Sequence, residues 1–290
     1  MTRAALLIVN RARPEAVSAS DRVRSLIQRH GVLLGEIDAG DAALPPSAER
    51  ADVVVVLGGD GTILGEARRC LHLGKPMLGI NTGRLGFIAE FELHDLEAQA
   101  ETLLGNGSIE TRRLPLIQTT VESPDGTRAE VGLALNEAVI AAGPPFRVIE
   151  LEMSIDGKPG PTFRGDGLIL STPTGSTAHS VSAGGPIAHP DVDALIITPI
   201  APHSLAFRPI VVPGDARLEL LILRANGDEA AAGTTLLLDG QVARRLGTAD
   251  RVMLRRSERS ARFVVNPRGH YWSTLTHKLR WAEAPRLRHP

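Results

Sequence analysis

Short apolar runs without polar alternation recur along the first hundred residues, and most are followed by a segment with helical spacing. Ala5–Asn10 is the first such run, the pattern of a strand buried on both faces. Behind it, Val17, Val23, Leu26 and Ile27 mark the inward face of a helix over Pro14–His30, with Gly31 as its stop. Val32–Ile37 reads as a second strand, and Asp38–Glu49, which holds Gly40, Pro45 and Pro46, as a loop. Asp52–Leu57 contains four consecutive valines, a strong buried-strand signal. Gly58-Gly59-Asp60-Gly61 breaks that run, and Thr62 is expected to cap a helix reaching about Leu73. Pro76–Asn81 is another strand, and Leu93–Leu104 a helix ending near Gly105. This alternation predicts an α/β N-terminal domain over 1–112, a Rossmann-like parallel sheet with helices on its faces.

The pattern changes beyond residue 112. Ile149–Ile155 alternates apolar and polar strictly, as a strand with one wet face does in an antiparallel sheet. Leu168–Ser171, Ala194–Ile200, Arg217–Leu223, Thr234–Leu238, Arg251–Arg255 and Arg262–Val265 are further strands, with Gly and Pro between them. Val121–Val131 carries Pro124-Asp125-Gly126 and reads as a hairpin. A mostly antiparallel β C-terminal domain is therefore expected over 113–268. The segment 269–290, with Leu275, Leu279 and Trp281, is expected to dock back on the N-terminal domain.

Composition narrows the function classes. Hydrophobic residues make up 43% and charged residues 22% of the 290, enough for a sizeable core and against long disorder. A net charge of −1 and 3% aromatics give no pull toward nucleic acid or anionic lipid and few platforms for stacked bases. The single cysteine, Cys70, rules out an intramolecular disulfide and a Cys-based zinc cage, and reads as a small core residue. His189, His203 and His270 show no paired ligand spacing. Apolar runs stay short of the roughly 18 residues of a membrane span. The run Ala4–Val9 is too short for a signal segment, so a cytoplasmic location is expected.

Four segments carry chemistry. Gly58-Gly59-Asp60-Gly61-Thr62 falls after a buried strand and before a helix, where open α/β sheets bind ligands. Consecutive glycines let backbone N–H groups approach a phosphate, and the helix start adds a favourable dipole. A carboxylate there is costly unless it holds Mg²⁺, takes a proton from an attacking hydroxyl, or caps the turn locally. The P-loop pattern and its lysine are absent. The second segment is Gly79–Phe87, with three glycines. The third is Asn136-Glu137, an amide able to read an adenine edge beside a carboxylate for ribose hydroxyls; alone it also reads as a surface turn. The fourth is Arg164-Gly165-Asp166-Gly167 followed by Ser171–Ser182 and Gly184-Gly185-Pro186. Hydroxyls and glycines dominate it, so it is expected to present donors and acceptors to a polar ligand rather than to fill a core.

Together these segments resemble the NAD kinases of the bacterial type, from Asp52 to about Trp281. The likeness continues through Ala201-Pro202-His203, Asp239-Gly240-Gln241 and Leu275-Thr276-His277-Lys278-Leu279. Gly-Gly-Asp-Gly alone also occurs in lipid kinases and, in a related form, in phosphofructokinases; Thr172–Ala178 sets this sequence apart from them.

The resemblance implies an enzyme that transfers the γ-phosphate of ATP, with Mg²⁺ or another divalent cation, to the 2′-hydroxyl of the adenosine ribose of NAD. Asp60 would be the catalytic base. Gly58, Gly59 and Gly61 would hold phosphates, and Thr62, Leu64 and Phe87 would belong to the same nucleotide site. Asn136 and Glu137 would hold the dinucleotide. Asp166, Thr174, Thr177, Ala178, His179, Ser180, Val181 and Ser182 would complete the pocket. Arg147, Arg164 and Gln241 match further ligand contacts. Ala201 matches a position that approaches from a neighbouring subunit, implying a homodimer or homotetramer. The family usually has tyrosine where this chain has His179; an imidazole is shorter and can carry a positive charge. No nucleic-acid or membrane partner is expected.

Overall fold

Most apolar runs of the first hundred residues become strands buried on both faces, while Val32–Asp38, at the sheet edge, is only half-buried. In chain order they and their helices are β1 (Ala4–Val9), α1 (Pro14–His30), β2 (Val32–Asp38), β3 (Val53–Gly58), α2 (Asp60–Arg69), β4 (Met77–Asn81), the short β5 (Phe91–Glu92) and α3 (Leu93–Leu104). The computed structural model describes residues 2–83, 86–227, 233–269 and 271–282. The chain divides into two compact units, Met1–Arg113 with Ala261 onward, and Leu114–Ser260.

In the first unit the strand order is β4-β3-β1-β2, every pair parallel, with β5 beside β4. All six residues of β3 are buried, as the valine run requires. α1 has Pro14 in its first turn and ends where the Gly31 N–H donates to the Ile27 carbonyl. Its buried face is Ala16, Ser20, Val23, Leu26 and Ile27. Val17 was expected on that face but is exposed, because Ala16 occupies the inward position one residue earlier in the 3.6-residue repeat.

The helix after the glycine turn also departs from expectation. α2 starts at Asp60 with Gly59 in extended conformation as its N-cap, and Thr62 lies inside the first turn. The N–H groups of Thr62 and Ile63 both reach back to the Gly59 carbonyl. The helix ends at Arg69, and a 3₁₀ turn over Leu71–Leu73 closes on left-handed Gly74.

The second unit is a two-sheet β structure. Its strands are β6 (Thr111–Glu122), β7 (Arg128–Ala134), β8 (Glu137–Ala141), β9 (Ile149–Ile155), β10 (Lys158–Gly165) and β11 (Gly167–Ser171). After the short helix α4 (His179–Ser182) come β12 (Ala194–Ile200), β13 (Ile210–Pro213), β14 (Leu218–Arg224), β15 (Thr235–Leu238), β16 (Gln241–Arg245) and β17 (Arg251–Val264). One antiparallel sheet runs β13-β12-β11-β8-β15-β16; the other contains β10-β9-β14-β17. Alternate residues of both build one core, among them Leu151 and Met153 of β9, Leu168 and Leu170 of β11, and Leu218 and Leu220 of β14. β6 and β7 form the expected hairpin, closed by the Gly126 N–H on the Ser123 carbonyl.

β17 is one strand of fourteen residues where two were expected. Its middle is exposed on both faces, so no apolar alternation marks it in the sequence. Its last residues, from Ala261, belong to the first unit, where Phe263 pairs with Met77 of β4. The final element, α5 (Tyr271–Leu279), also belongs to the first unit, and its Leu275 is buried. Cys70 is buried as expected, and burial pushes its thiol up to about 12. No helix among the described residues is long and apolar enough to cross a membrane.

Candidate active site

In the first unit the site is built at the carboxyl edge of β3. Gly58 ends the strand and its carbonyl accepts the Thr82 N–H at 3.3 Å, joining the glycine turn to the segment after β4. The Asp60 carboxylate does not cap its own helix. It crosses to the 86–89 segment, where Oδ2 accepts the Phe87 N–H at 2.8 Å and Oδ1 the Ala89 N–H at 3.3 Å. Lys278 Nζ of α5 lies 3.3 Å from the same Oδ2. The approach is possible because residue 86 is glycine: a Cβ there would stand 1.5 Å from Asp60 Oδ1. Asn10, at the end of β1, donates from Nδ2 to Thr62 Oγ1 at 2.7 Å, which leaves the threonine hydroxyl hydrogen free to point elsewhere.

The other expected residues of this half divide clearly. A Cβ on Gly61 would meet nothing within 4 Å, whereas Gly59 lies against the Arg13 guanidinium, whose Cζ is 3.8 Å from the corresponding point. Leu64 is a buried core residue of α2. The Phe87 ring stands beside Tyr271, centroids 6.5 Å apart, with Lys278 Nζ at 5.0 Å from its centre. Arg84 and Leu85 of the second glycine segment lie outside the described residues.

In the second unit Asn136 and Glu137 are not a surface turn. Asp239 holds them: its carboxylate accepts the N–H groups of Leu135 at 2.9 Å, Asn136 at 2.8 Å and Glu137 at 3.2 Å. Asp239 and Gly240 are both left-handed, as a two-residue hairpin turn between β15 and β16 demands. The hydroxyl-rich turn packs against the same dipeptide. Thr172 donates its N–H to the Asn136 carbonyl and its Oγ1 hydrogen to the Leu135 carbonyl, at 2.8 and 2.6 Å. Gly175 sits so close that a Cβ would be 2.1 Å from the Asn136 carbonyl oxygen.

Contrary to expectation, Ser171 to Ser176 are buried. They can be, because their hydroxyls bond within the turn: Ser171 to the Thr172 carbonyl, Ser176 to that of Pro173. Three polar atoms of this region remain buried and unpartnered: Asn136 Oδ1, Glu137 Oε2 and Thr174 Oγ1. Buried polar atoms without a partner are costly, and donors from a bound ligand would satisfy them. Burial pushes the Glu137 carboxyl above its usual range; nearby Asp239 adds to this, and His179 works against it. His179 Nδ1 lies 3.4 Å from Glu137 Oε1, its ring largely exposed.

Ser180 is buried and bonded to Thr198 at 2.9 Å. Thr177, Ala178 and Val181 are half-buried, and Ser182 is exposed. Asp166 is exposed on the β10–β11 connection, and Arg164 pairs with Glu150 at 2.9 Å. Arg147, Ala201 and Gln241 are also exposed, Ala201 with a left-handed backbone.

Sequence reasoning passed over four positions: Asn10, Gly86, Asp239 and Lys278. Gly86, Asp239 and Lys278 lay inside noted motifs, but their partners are 26 to 218 residues away, and only Gly86 carried a signal, its glycine spacing. Among the described residues no three His, Cys, Asp or Glu groups are placed to hold a metal.

Known proteins share this sequence and fold. The ATP-NAD kinase N-terminal domain matches residues 11–109, and the ATP-NAD kinase C-terminal domain residues 135–266. The NAD kinase of Geotalea daltonii is 42% identical over 81% of this chain and 80% of its own, and that of Rhodopirellula baltica 39% identical over 93% and 84%. Among solved structures, yeast NADH kinase complexed with NADH superimposes with a TM-score of 0.82 over 99% of this chain and 90% of its own; at 21% identity it shows the fold. An NAD kinase from Archaeoglobus fulgidus in complex with ATP superimposes with 0.71 at 27% identity, over 96% and 98%. Two domain matches, and relatives this similar across most of their length, place the chain in the ATP-NAD kinase family.

Proposed function

We propose that this protein is an ATP-dependent NAD kinase that phosphorylates the 2′-hydroxyl of the adenosine ribose of NAD to give NADP, with Asp60 as the general base. The observation that carries the assignment of the base is the Asp60 carboxylate, fixed by the Phe87 and Ala89 N–H groups at the head of a glycine turn. A sugar hydroxyl is scarcely ionised near neutral pH. Asp60 takes its proton as the 2′-oxygen bonds to the γ-phosphorus; the bond from that phosphorus to the β–γ bridging oxygen breaks, and ADP leaves with the electron pair. A positioned base contributes about 10²–10⁴-fold. Alignment and charge neutralisation supply most of the rest.

The first unit thus carries the base and, in Gly58, Gly59 and Gly61, the backbone that cradles phosphate. The second unit holds the dinucleotide. Asn136 Oδ1, Glu137 Oε2 and Thr174 Oγ1, buried without partners, support that assignment. Thr62, Leu64 and Phe87 belong to the first site. Arg147, Arg164, Asp166, Thr177, Ala178, His179, Ser180, Val181, Ser182 and Gln241 belong to the second.

The divalent ion is Mg²⁺ or a similar cation. The donor set fits one that rides on the triphosphate, since Mg²⁺ keeps waters and takes substrate phosphates rather than an all-protein cage. When bound it neutralises phosphate charge, and the glycine turn holds the phosphates that carry it. The active form is a homodimer or homotetramer in the cytoplasm, with Ala201 at a subunit contact.

The test is direct. Purified protein given NAD, ATP and Mg²⁺ should yield NADP that a strictly NADP-dependent dehydrogenase can reduce. Turnover of diacylglycerol or a sphingoid base instead, with no NADP, would overturn the reading.

A further inference from the structure

We propose that Lys278, on the C-terminal helix α5, is a positioning residue of the transfer reaction: it orients Asp60 and sets a positive charge beside the carboxylate, which no residue of the glycine turn itself carries. The inference rests on the reading of Asp60 as base.

Residues 58–65 contain no lysine or arginine. Phosphoryl transfer develops charge on the attacking, leaving and equatorial oxygens, and pre-placed cations are the usual means of stabilising it. A cation beside the base comes from 218 residues along the chain: Lys278 Nζ is 3.3 Å from Asp60 Oδ2, while the Arg13 guanidinium lies against Gly59. The spacing within α5 explains its aim. Tyr271, Leu275 and Lys278 stand at i, i+4 and i+7, on one helical face. Leu275 is buried, Tyr271 meets Phe87, and Lys278 projects from the same stripe over the Phe87 ring at 5.0 Å.

Two features argue that this pair serves the reaction rather than the fold. Its side chains are 29% and 30% exposed, where ion pairs and cation–π contacts contribute little to stability. Phe87 also donates its own N–H to Asp60 Oδ2, so one residue sets both the base and the ring that guides the lysine. A hydroxyl oxygen in hydrogen-bond reach of Asp60, about 2.6–3.2 Å, lies within one lysine side chain's swing of Nζ. The incoming phosphoryl group meets that oxygen, so the ammonium passes from carboxylate to phosphate as the reactants assemble.

The experiment uses the full chain carrying Lys278→Ala, Lys278→Met or Lys278→Arg, with steady-state kcat, KM for ATP and NAD, and calorimetric NAD affinity. Lys278→Met keeps an apolar stem over Phe87 and guards against loss of packing. The account expects kcat to fall about 10²-fold in the Ala and Met variants. NAD affinity should stay within about twofold of wild type, and Lys278→Arg should recover at least tenfold of the loss. A Lys278→Met enzyme with kcat within threefold of wild type, or one whose defect lies wholly in NAD affinity or thermal stability, overturns the inference. Wild-type protein that makes no NADP overturns the proposed function itself, so the two failures are distinct.

Discussion

Glu137, proposed above to hold the dinucleotide, carries its cost in the stability of the protein. Its side chain is almost wholly buried, one oxygen has no partner, and burial raises its pKa. A carboxyl whose folded pKa is raised binds its proton more tightly in the native state. Between the ordinary carboxylate range and the raised value, stability therefore falls as pH rises, and the full cost is present above that window. Glu137→Gln removes the buried charge. It should raise stability at neutral pH by ~1 kcal/mol, about 2–4 °C in Tm, and the gain should vanish on acidification below the window. NAD affinity should fall at the same time. Thermal melts across pH with calorimetry check this; a variant that is less stable at neutral pH and binds NAD as wild type would contradict it. Among single residues, Asp60 stands out in the sequence because a carboxylate among consecutive glycines is odd chemistry wherever it occurs. Asp239 and Lys278 were not, because their meaning lies in N–H groups and a carboxylate about a hundred residues away or more.

Elements with strong periodicity were legible with little error: α1 and α3 have the expected bounds, as do β9 and β12. The start of α2 was not, because Thr62 looks like a cap while Gly59, with no side chain to signal it, takes the position. The polar middle of β17 hid one strand as two. The hydroxyl-rich turn misled differently: composition showed that it cannot fill a core with apolar groups, but not that its hydroxyls satisfy one another and let it be buried. That turn is held to Asn136 by close approach at Gly175. Gly175→Ala would force a methyl to within 2.1 Å of a backbone carbonyl that cannot swing aside. The expected cost is about 1–3 kcal/mol of stability, with weakened NAD binding, read as denaturant midpoint and calorimetric affinity. An alanine variant of unchanged midpoint would show that the turn is looser than its hydrogen bonds imply.

At the scale of the molecule, the pairing of an α/β part with an antiparallel β part was legible from the change in hydrophobic period along the chain. The return of the chain to the first unit from Ala261 was less so, because a C-terminal helix with one buried leucine gives little pattern to read. The proposed function puts chemistry and dinucleotide binding on residues of different units, and one substitution should separate them. Asn in place of Asp60 keeps an oxygen to accept the Phe87 N–H but cannot take a proton. The most direct measurement is kcat of Asp60→Asn in the NADP-forming assay, with NAD affinity measured on the same preparation. The account predicts a folded protein that binds NAD nearly as wild type and turns over about 10²–10⁴-fold more slowly. An unchanged kcat would contradict it.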